Sequence, residues 1–187
     1  MLITPTIEIR WFDSGSLPEK IKQWFNKDCL GSILGEFPET RVDLYLVIPE
    51  SDRLSVKLRQ GKLLEIKLLQ KELGTRQFAW EGKVERWTKW SYEDISPLSV
   101  MNLPATKTWC EVKKTRWQRF QNGIYLEITQ LYVNNNPWWS IAFEMLEDGT
   151  NDFDSFCDNV NSISQSCPEL NLSLEKSYAY PGWLLKV

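Results

Sequence analysis

Histidine is missing altogether from the 187 residues of this chain, and that absence removes more chemistry than any other feature. No Ser-His or Cys-His nucleophile can be assembled, and a zinc site loses its usual nitrogen ligand. The four cysteines, Cys29, Cys110, Cys157 and Cys167, form no CxxC pair, so they read as isolated reduced thiols in or near a core. Any acid-base or metal chemistry must rest on carboxylates, lysines, tyrosines or water. No apolar run approaches the length that crosses a bilayer. The first residues lack the basic segment, apolar stretch and cleavage site of a signal peptide. A cytoplasmic protein without a membrane partner is expected. The net charge of −3 argues against a broad nucleic-acid surface while leaving room for a locally basic cleft.

What is present is charge of both signs placed with strict alternation. In Arg41-Val42-Asp43-Leu44-Tyr45-Leu46-Val47-Ile48 the polar members fall on odd positions and Val42, Leu44, Leu46 and Ile48 on even ones, which is the period of a β-strand. Glu8 and Arg10 alternate with Ile7, Ile9 and Trp11. Lys57 and Arg59 alternate with Val56 and Leu58, and Glu65 and Lys67 with Leu64, Ile66 and Leu68. An open sheet would send such a face to solvent. A sheet closed on itself would turn it into a polar channel.

Composition, with 42% hydrophobic and 25% charged residues, suits a single globular domain over residues 1–187, and no repeat of solenoid length is visible. Strands are expected near residues 5–12, 41–48, 53–60, 63–70, 76–80, 82–90, 107–120, 123–133 and 138–146. Gln60-Gly61-Lys62, Gln121-Asn122-Gly123 and Asn134-Asn135-Asn136-Pro137 read as turns. A short helix is expected after Ser16, its candidate cap, with Ile21, Trp24 and Phe25 on one face. A glycine-marked loop through Gly31 and Gly35 follows, and residues 91–105 form a connection that includes Pro97 and Pro104. Phe153, Phe156, Cys157, Val160 and Ile163 recur at helical spacing, and Pro168 ends that helix.

Taken in order, Glu8-x-Arg10, Arg41-x-Asp43-x-Tyr45, Lys57-x-Arg59, Lys67, Glu85, Lys114-x-Arg116, Leu126-Glu127, Phe143-Glu144 and Lys176-Ser177-Tyr178 make the chain resemble the CYTH superfamily of triphosphate tunnel enzymes. These include thiamine triphosphatases, inorganic triphosphatases and class IV adenylyl cyclases. The resemblance implies an α+β, mainly β, fold: a closed eight-stranded antiparallel barrel with a few flanking helices. It implies an anionic small-molecule partner, a triphosphate, gripped by Arg10, Arg41, Lys57, Arg59, Lys67, Lys114 and Arg116. It also implies Mg2+ or Mn2+ on the metal-side carboxylates Glu8, Glu85, Glu127 and Glu144, with Glu127 and Lys67 in catalysis. Asp43 would orient a neighbouring arginine, and Tyr45 would touch phosphate or base. A hard metal needs oxygen ligands and no histidine, and it would polarise the phosphoryl group for attack by water.

The chain departs from the family pattern in one direction. Thr6, Glu8 and Arg10 stand where the family has Glu-x-Glu-x-Lys, and Ala142-Phe143-Glu144 replaces a Glu-x-Glu strand. Fewer carboxylates lower metal affinity, and Arg10 suits binding better than proton transfer. Three functions stay open at this point: a metal-dependent triphosphatase, a catalytically impaired module binding a polyphosphate, nucleotide or other anion, and a lipocalin-like barrel for an apolar ligand. The third requires an apolar interior, which the charge parity opposes. Ten tryptophans read mainly as packing at the barrel rims, with one or two available to stack on a ring. Adjacent Trp138 and Trp139 must face opposite ways in a strand.

Overall fold

A computed structural model describes residues 2–93, 109–147, 149 and 152–187. Eight antiparallel strands close into a barrel in the order β1-β5-β4-β3-β2-β6-β7-β8. They are β1 (Leu2–Ser14), β2 (Ser32–Leu46), β3 (Leu54–Arg59), β4 (Leu63–Gln77), β5 (Glu81–Tyr92), β6 (Trp109–Gln121), β7 (Ile124–Val133) and β8 (Asn136–Leu146). Among the described residues the α-helices are α1 (Glu19–Lys27), α2 (Phe153–Ser164) and a short α3 (Tyr180–Leu184). The expected connection over residues 91–105 lies largely outside the described residues. Among these residues no helix is long and apolar enough to cross a membrane.

The alternation seen in the sequence becomes an inverted barrel. On β1 the odd residues Ile7, Ile9 and Trp11 are buried on the outside, while Glu8 and Arg10 point inward. Outside, Ile124, Leu126 and Ile128 of β7 and Ile141, Phe143 and Met145 of β8 complete an apolar wall that α1 covers with Ile21, Trp24 and Phe25 and α2 with Phe156, Val160 and Ile163. Each such side chain contributes about 1.5–3 kcal/mol by leaving water, so much of the cohesion of the molecule lies outside the barrel and part of its interior is free to be polar. Gly82 belongs to this wall, because a Cβ there would lie 2.6 Å from the Trp11 ring.

Tight turns set the register. Gln60 and Gly61, Asn122 and Gly123, and Asn134 and Asn135 all take positive φ; the last two pairs are two-residue hairpins whose twist matches the strands, while Gln60-Gly61-Lys62 is a three-residue loop between paired Arg59 and Leu63. Three expectations need correction. The segment 76–80 is no separate strand, since β4 runs on to Gln77 through two register shifts, after Leu69 and after Glu72. Those bulges break the period of two and hide the continuity. The loop through Gly31 and Gly35 is mostly strand, because Ser32–Leu34 already pair with β6 before a shift to Glu39. Ser16 does not cap α1; Pro18 occupies the cap position with no side-chain bond, and the Leu17 amide is held instead by Gln130 Oε1 at 2.7 Å.

One end of the barrel is plugged. Phe12, Tyr45, Val112, Leu131 and Val133 pack against Trp183 and Leu184 of α3, with Phe12 stacked on Trp183 at 4.6 Å between ring centres. Ser177 fixes the plug's approach by bridging Trp11 and accepting the Lys83 amide at 2.9 Å. Trp138 packs here and Trp139 in the outer wall, on opposite faces as their adjacency requires.

Candidate functional site

Inside the barrel lies a cavity of about 120 Å³, room for on the order of ten waters. Its lining is charged. Arg10 of β1, Arg41 of β2, Lys57 and Arg59 of β3, Lys67 of β4, Lys89 of β5, and Lys114 and Arg116 of β6 all reach it, as do Glu8, Glu65, Glu127 and Glu144. All seven basic residues singled out in the sequence are therefore brought together, and so are three of the four metal-side carboxylates. Glu85 is the exception. It is the cross-strand partner of Glu8 but does not line the cavity, and its carboxylate accepts the Trp87 indole N–H at 3.0 Å.

The cations converge because inward positions of neighbouring strands fall into register. Lys114 stands opposite Arg41, and Arg116 opposite Glu39. Tyr45 faces Lys57, and Asp43 faces Arg59. Two carboxylates on β2 hold this side together. Asp43 meets Arg41 Nε at 3.1 Å and Lys114 Nζ at 3.2 Å. Glu39 meets Arg41 at 2.7 Å and Arg59 at 2.5 Å and pairs with Arg116. Arg41 is the arginine that Asp43 contacts. Lys57 pairs with Glu65 at 2.6 Å. On the other side Glu127 joins Arg10 at 2.8 Å and Arg116 at 3.1 Å, and Lys67 lies 2.7 Å from Glu8 and 3.9 Å from Glu144.

These contacts fix the protonation states. Burial alone would raise the carboxyl groups of Glu39 and Glu65, yet their cationic partners outweigh it and hold both at about 2. Glu127 is likewise driven down, against burial, by Arg10 and Arg116. Glu85 has no such partner, and burial followed by the charge of Glu8 pushes it up to about 7. Lys114, like Lys57 and unlike Lys67, is shifted down: burial, then Lys57, depress it, and Asp43 compensates only in part. It donates to the Tyr45 hydroxyl at 2.5 Å and sits over the Tyr180 ring at 3.9 Å, at the plugged end.

The site has a depth gradient. Asp43, Lys114 and Arg41 are almost wholly buried at the floor, whereas Arg59 and Glu39 are about 30% exposed at the mouth. Tyr180 with Ala179 and Pro181 closes the lining beside the floor.

Sequence reasoning placed Glu65 on the charged strand face without naming it as a site residue, and missed Glu39, Ser55, Trp87, Lys89 and the 179–181 segment. Parity could have found Glu39, two residues from Arg41, and Lys89, two from Trp87. Tyr180 carries no such signal, because a plug helix rather than a strand delivers it.

The implied Mg2+ or Mn2+ finds no matching donor set here. Among the described residues no group of three or more Cys, Asp or Glu is disposed to hold a metal ion. Glu8 and Glu144 share Lys67, and Glu127 is committed to two arginines and to the Thr129 hydroxyl at 3.1 Å.

Fold and cavity define a class: closed eight-stranded antiparallel barrels with a polar, ion-paired interior. In fold the chain is similar to a conserved hypothetical protein of Pyrococcus furiosus, with a TM-score of 0.54, 16% identity, and 91% of this chain and 99% of that one covered. It is similar to the PH1012 protein of Pyrococcus horikoshii, with a TM-score of 0.53, 18% identity, and 91% and 98% covered. The Pct1 RNA triphosphatase of S. pombe, solved in complex with the Spt5 CTD, gives a TM-score of 0.48 at 8% identity over 88% of this chain and 86% of that one. At these identities the likeness is one of fold. No protein-family model and no curated protein matches the chain.

Proposed function

We propose that the barrel binds the phosphate chain of a triphosphate, inorganic or carried on an organic group. The observation that supports this reading is the convergence of basic side chains from six strands, β1 to β6, on one enclosed cavity. Buried ion pairs are a weak source of stability, often matched by apolar replacements, so a fold has no structural need for so many. A polyanion supplies the need. Arginine forks match two phosphate oxygens at once, and lysines add compact point charges. The same lining opposes the lipocalin-like alternative, because an apolar ligand would strip water from these ion pairs and offer their polar groups nothing in return.

Binding requires the carboxylates to yield. Arg41, Arg59 and Arg116 share Glu39 near the mouth, so an arriving phosphate competes with one partly exposed glutamate for three guanidinium groups. Hydrolysis is a second reading, favoured by Glu127. Fixed and ionised between Arg10 and Arg116, it can orient a water for in-line attack on the terminal phosphorus, while Lys67 and the arginines neutralise the departing phosphate. Its depressed pKa makes it a weak proton acceptor, so it suits positioning better than general-base work.

Titration calorimetry with tripolyphosphate tests the binding. Saturable 1:1 binding that weakens with salt, and far weaker binding of orthophosphate, is the expected result; no binding of tripolyphosphate at any salt concentration refutes the proposal. Phosphate release, compared between the native protein and a Lys57→Ala/Glu127→Ala double variant, decides the hydrolytic reading. Equal turnover in the two would remove it.

A further inference from the structure

Three glutamates stand side by side on one rung of the inner barrel wall. Glu85 on β5 and Glu144 on β8 are the direct cross-strand partners of Glu8 on β1, so all three side chains leave the sheet on the same face. Left bare, such a row would repel itself and attract a divalent cation. It is not bare. Lys67 reaches over from β4 and places Nζ 2.7 Å from Glu8 Oε2 and 3.9 Å from Glu144 Oε1, while Glu85 turns to the Trp87 indole. Lys67 is about a fifth exposed and Glu8 almost fully buried, so the ammonium covers the carboxylate on its solvent side.

A hard divalent ion takes about six oxygen ligands in place of its hydration shell. To collect even three here it would have to expel Lys67 and turn Glu85 away from Trp87. Lys89, the cross-strand partner of Lys67, and Arg10, two residues from Glu8, add positive charge beside the same spot. An ammonium group carries three N–H donors and accepts nothing. With Glu8 drawing on one of them and Glu144 3.9 Å away, donors remain for a phosphate oxygen. Lys67 can thus bridge carboxylates and phosphate, the place a metal ion would otherwise take.

Building on the triphosphate reading of the cavity, we propose that Lys67 is a built-in counter-ion standing in for a divalent metal, so that the barrel takes its triphosphate as the metal-free anion.

Calorimetry of tripolyphosphate in chelator-treated buffer and in excess Mn2+, with the native protein and with Lys67→Met, tests this. Titration of Mn2+ alone, followed by the loss of its free paramagnetic resonance signal, supplies a second readout. The native protein should bind tripolyphosphate at least as tightly with chelator as with Mn2+, and should not take up Mn2+ alone. Lys67→Met should bind Mn2+ and should need it, gaining about tenfold or more in tripolyphosphate affinity when it is supplied. Native binding abolished by the chelator overturns the proposal, as does tight Mn2+ uptake by the native protein, or a Lys67→Met variant that is folded and indifferent to Mn2+. The native arms decide the question even if the variant fails to fold. Absence of tripolyphosphate binding under every condition would instead remove the triphosphate reading itself, and this proposal with it.

Discussion

Two opposite walls of the barrel solve the same electrostatic problem differently. The wall of β3, β2 and β6 carries Lys57, Arg59, Arg41, Lys114 and Arg116 and organises them around Asp43 and Glu39, both on β2. The wall of β5, β1 and β8 carries Glu85, Glu8 and Glu144 and receives its main counter-charge from outside, as Lys67 of β4. Cations outnumber their carboxylates on the first wall, and most acids on the second are already neutralised. If the barrel binds a triphosphate as proposed, the phosphate chain gains most from the first wall.

Breaking the organiser of the cationic wall should have the largest effect. Asp43 is fully buried between Arg41 and Lys114, so Asp43→Ala strips buried Lys114 of its carboxylate and leaves Arg41 with Glu39 alone. A loss of about 3–5 kcal/mol is expected, read as a lower urea midpoint at unchanged slope.

Removing a cation from the same wall tests binding instead. Lys114→Met should cost about a hundredfold in tripolyphosphate affinity, roughly 3 kcal/mol, with the barrel retained. Because burial and Lys57 depress the native amine, an arriving anion should shift it back upward. Any proton uptake on binding, read by calorimetry in buffers of different ionisation heat, should shrink in Lys114→Met. Affinity of the native protein should fall as pH rises, since only the ammonium form attracts phosphate.

The acidic wall responds more gently, and to pH. Glu85 titrates at about 7 in the folded protein against an ordinary 4.5, so the folded state keeps a proton that the unfolded chain has released. Stability is then lost as pH climbs through that interval, and the penalty is complete above it. Glu85→Gln should raise stability by on the order of 1–3 kcal/mol at about pH 8 and leave it unchanged near pH 4. Thermal unfolding at the two pH values checks this. Equal effects at both would mean that Glu85 is not held protonated by its setting.

Much of this contrast is legible in the chain. The alternation in Glu8-Ile9-Arg10, Arg41-Val42-Asp43 and Lys57-Leu58-Arg59 places charge on one face of each strand, and closure turns that face inward. What alternation cannot show is partnership. Glu39 falls outside the strand as read from sequence, because the shift after Leu34 interrupts the period, yet it pairs with three arginines. The bulges in β4 conceal that β4 and β5 form one long hairpin. Contacts across the barrel, such as Lys67 to Glu8 or Arg10 to Glu127, join residues 59 and 117 positions apart. They depend on barrel closure, which a local pattern does not encode. The carboxylates expected to hold a metal were recognisable as inward groups, but their engagement by Lys67 and Arg10 was not.

The most direct measurement is a crystal grown or soaked with tripolyphosphate in the presence of chelator. The account predicts a phosphate chain inside the barrel, its inner end near Lys114 and Arg41 and its outer end between Arg59 and Lys67. An empty cavity beside phosphate bound only to the outer surface would contradict it.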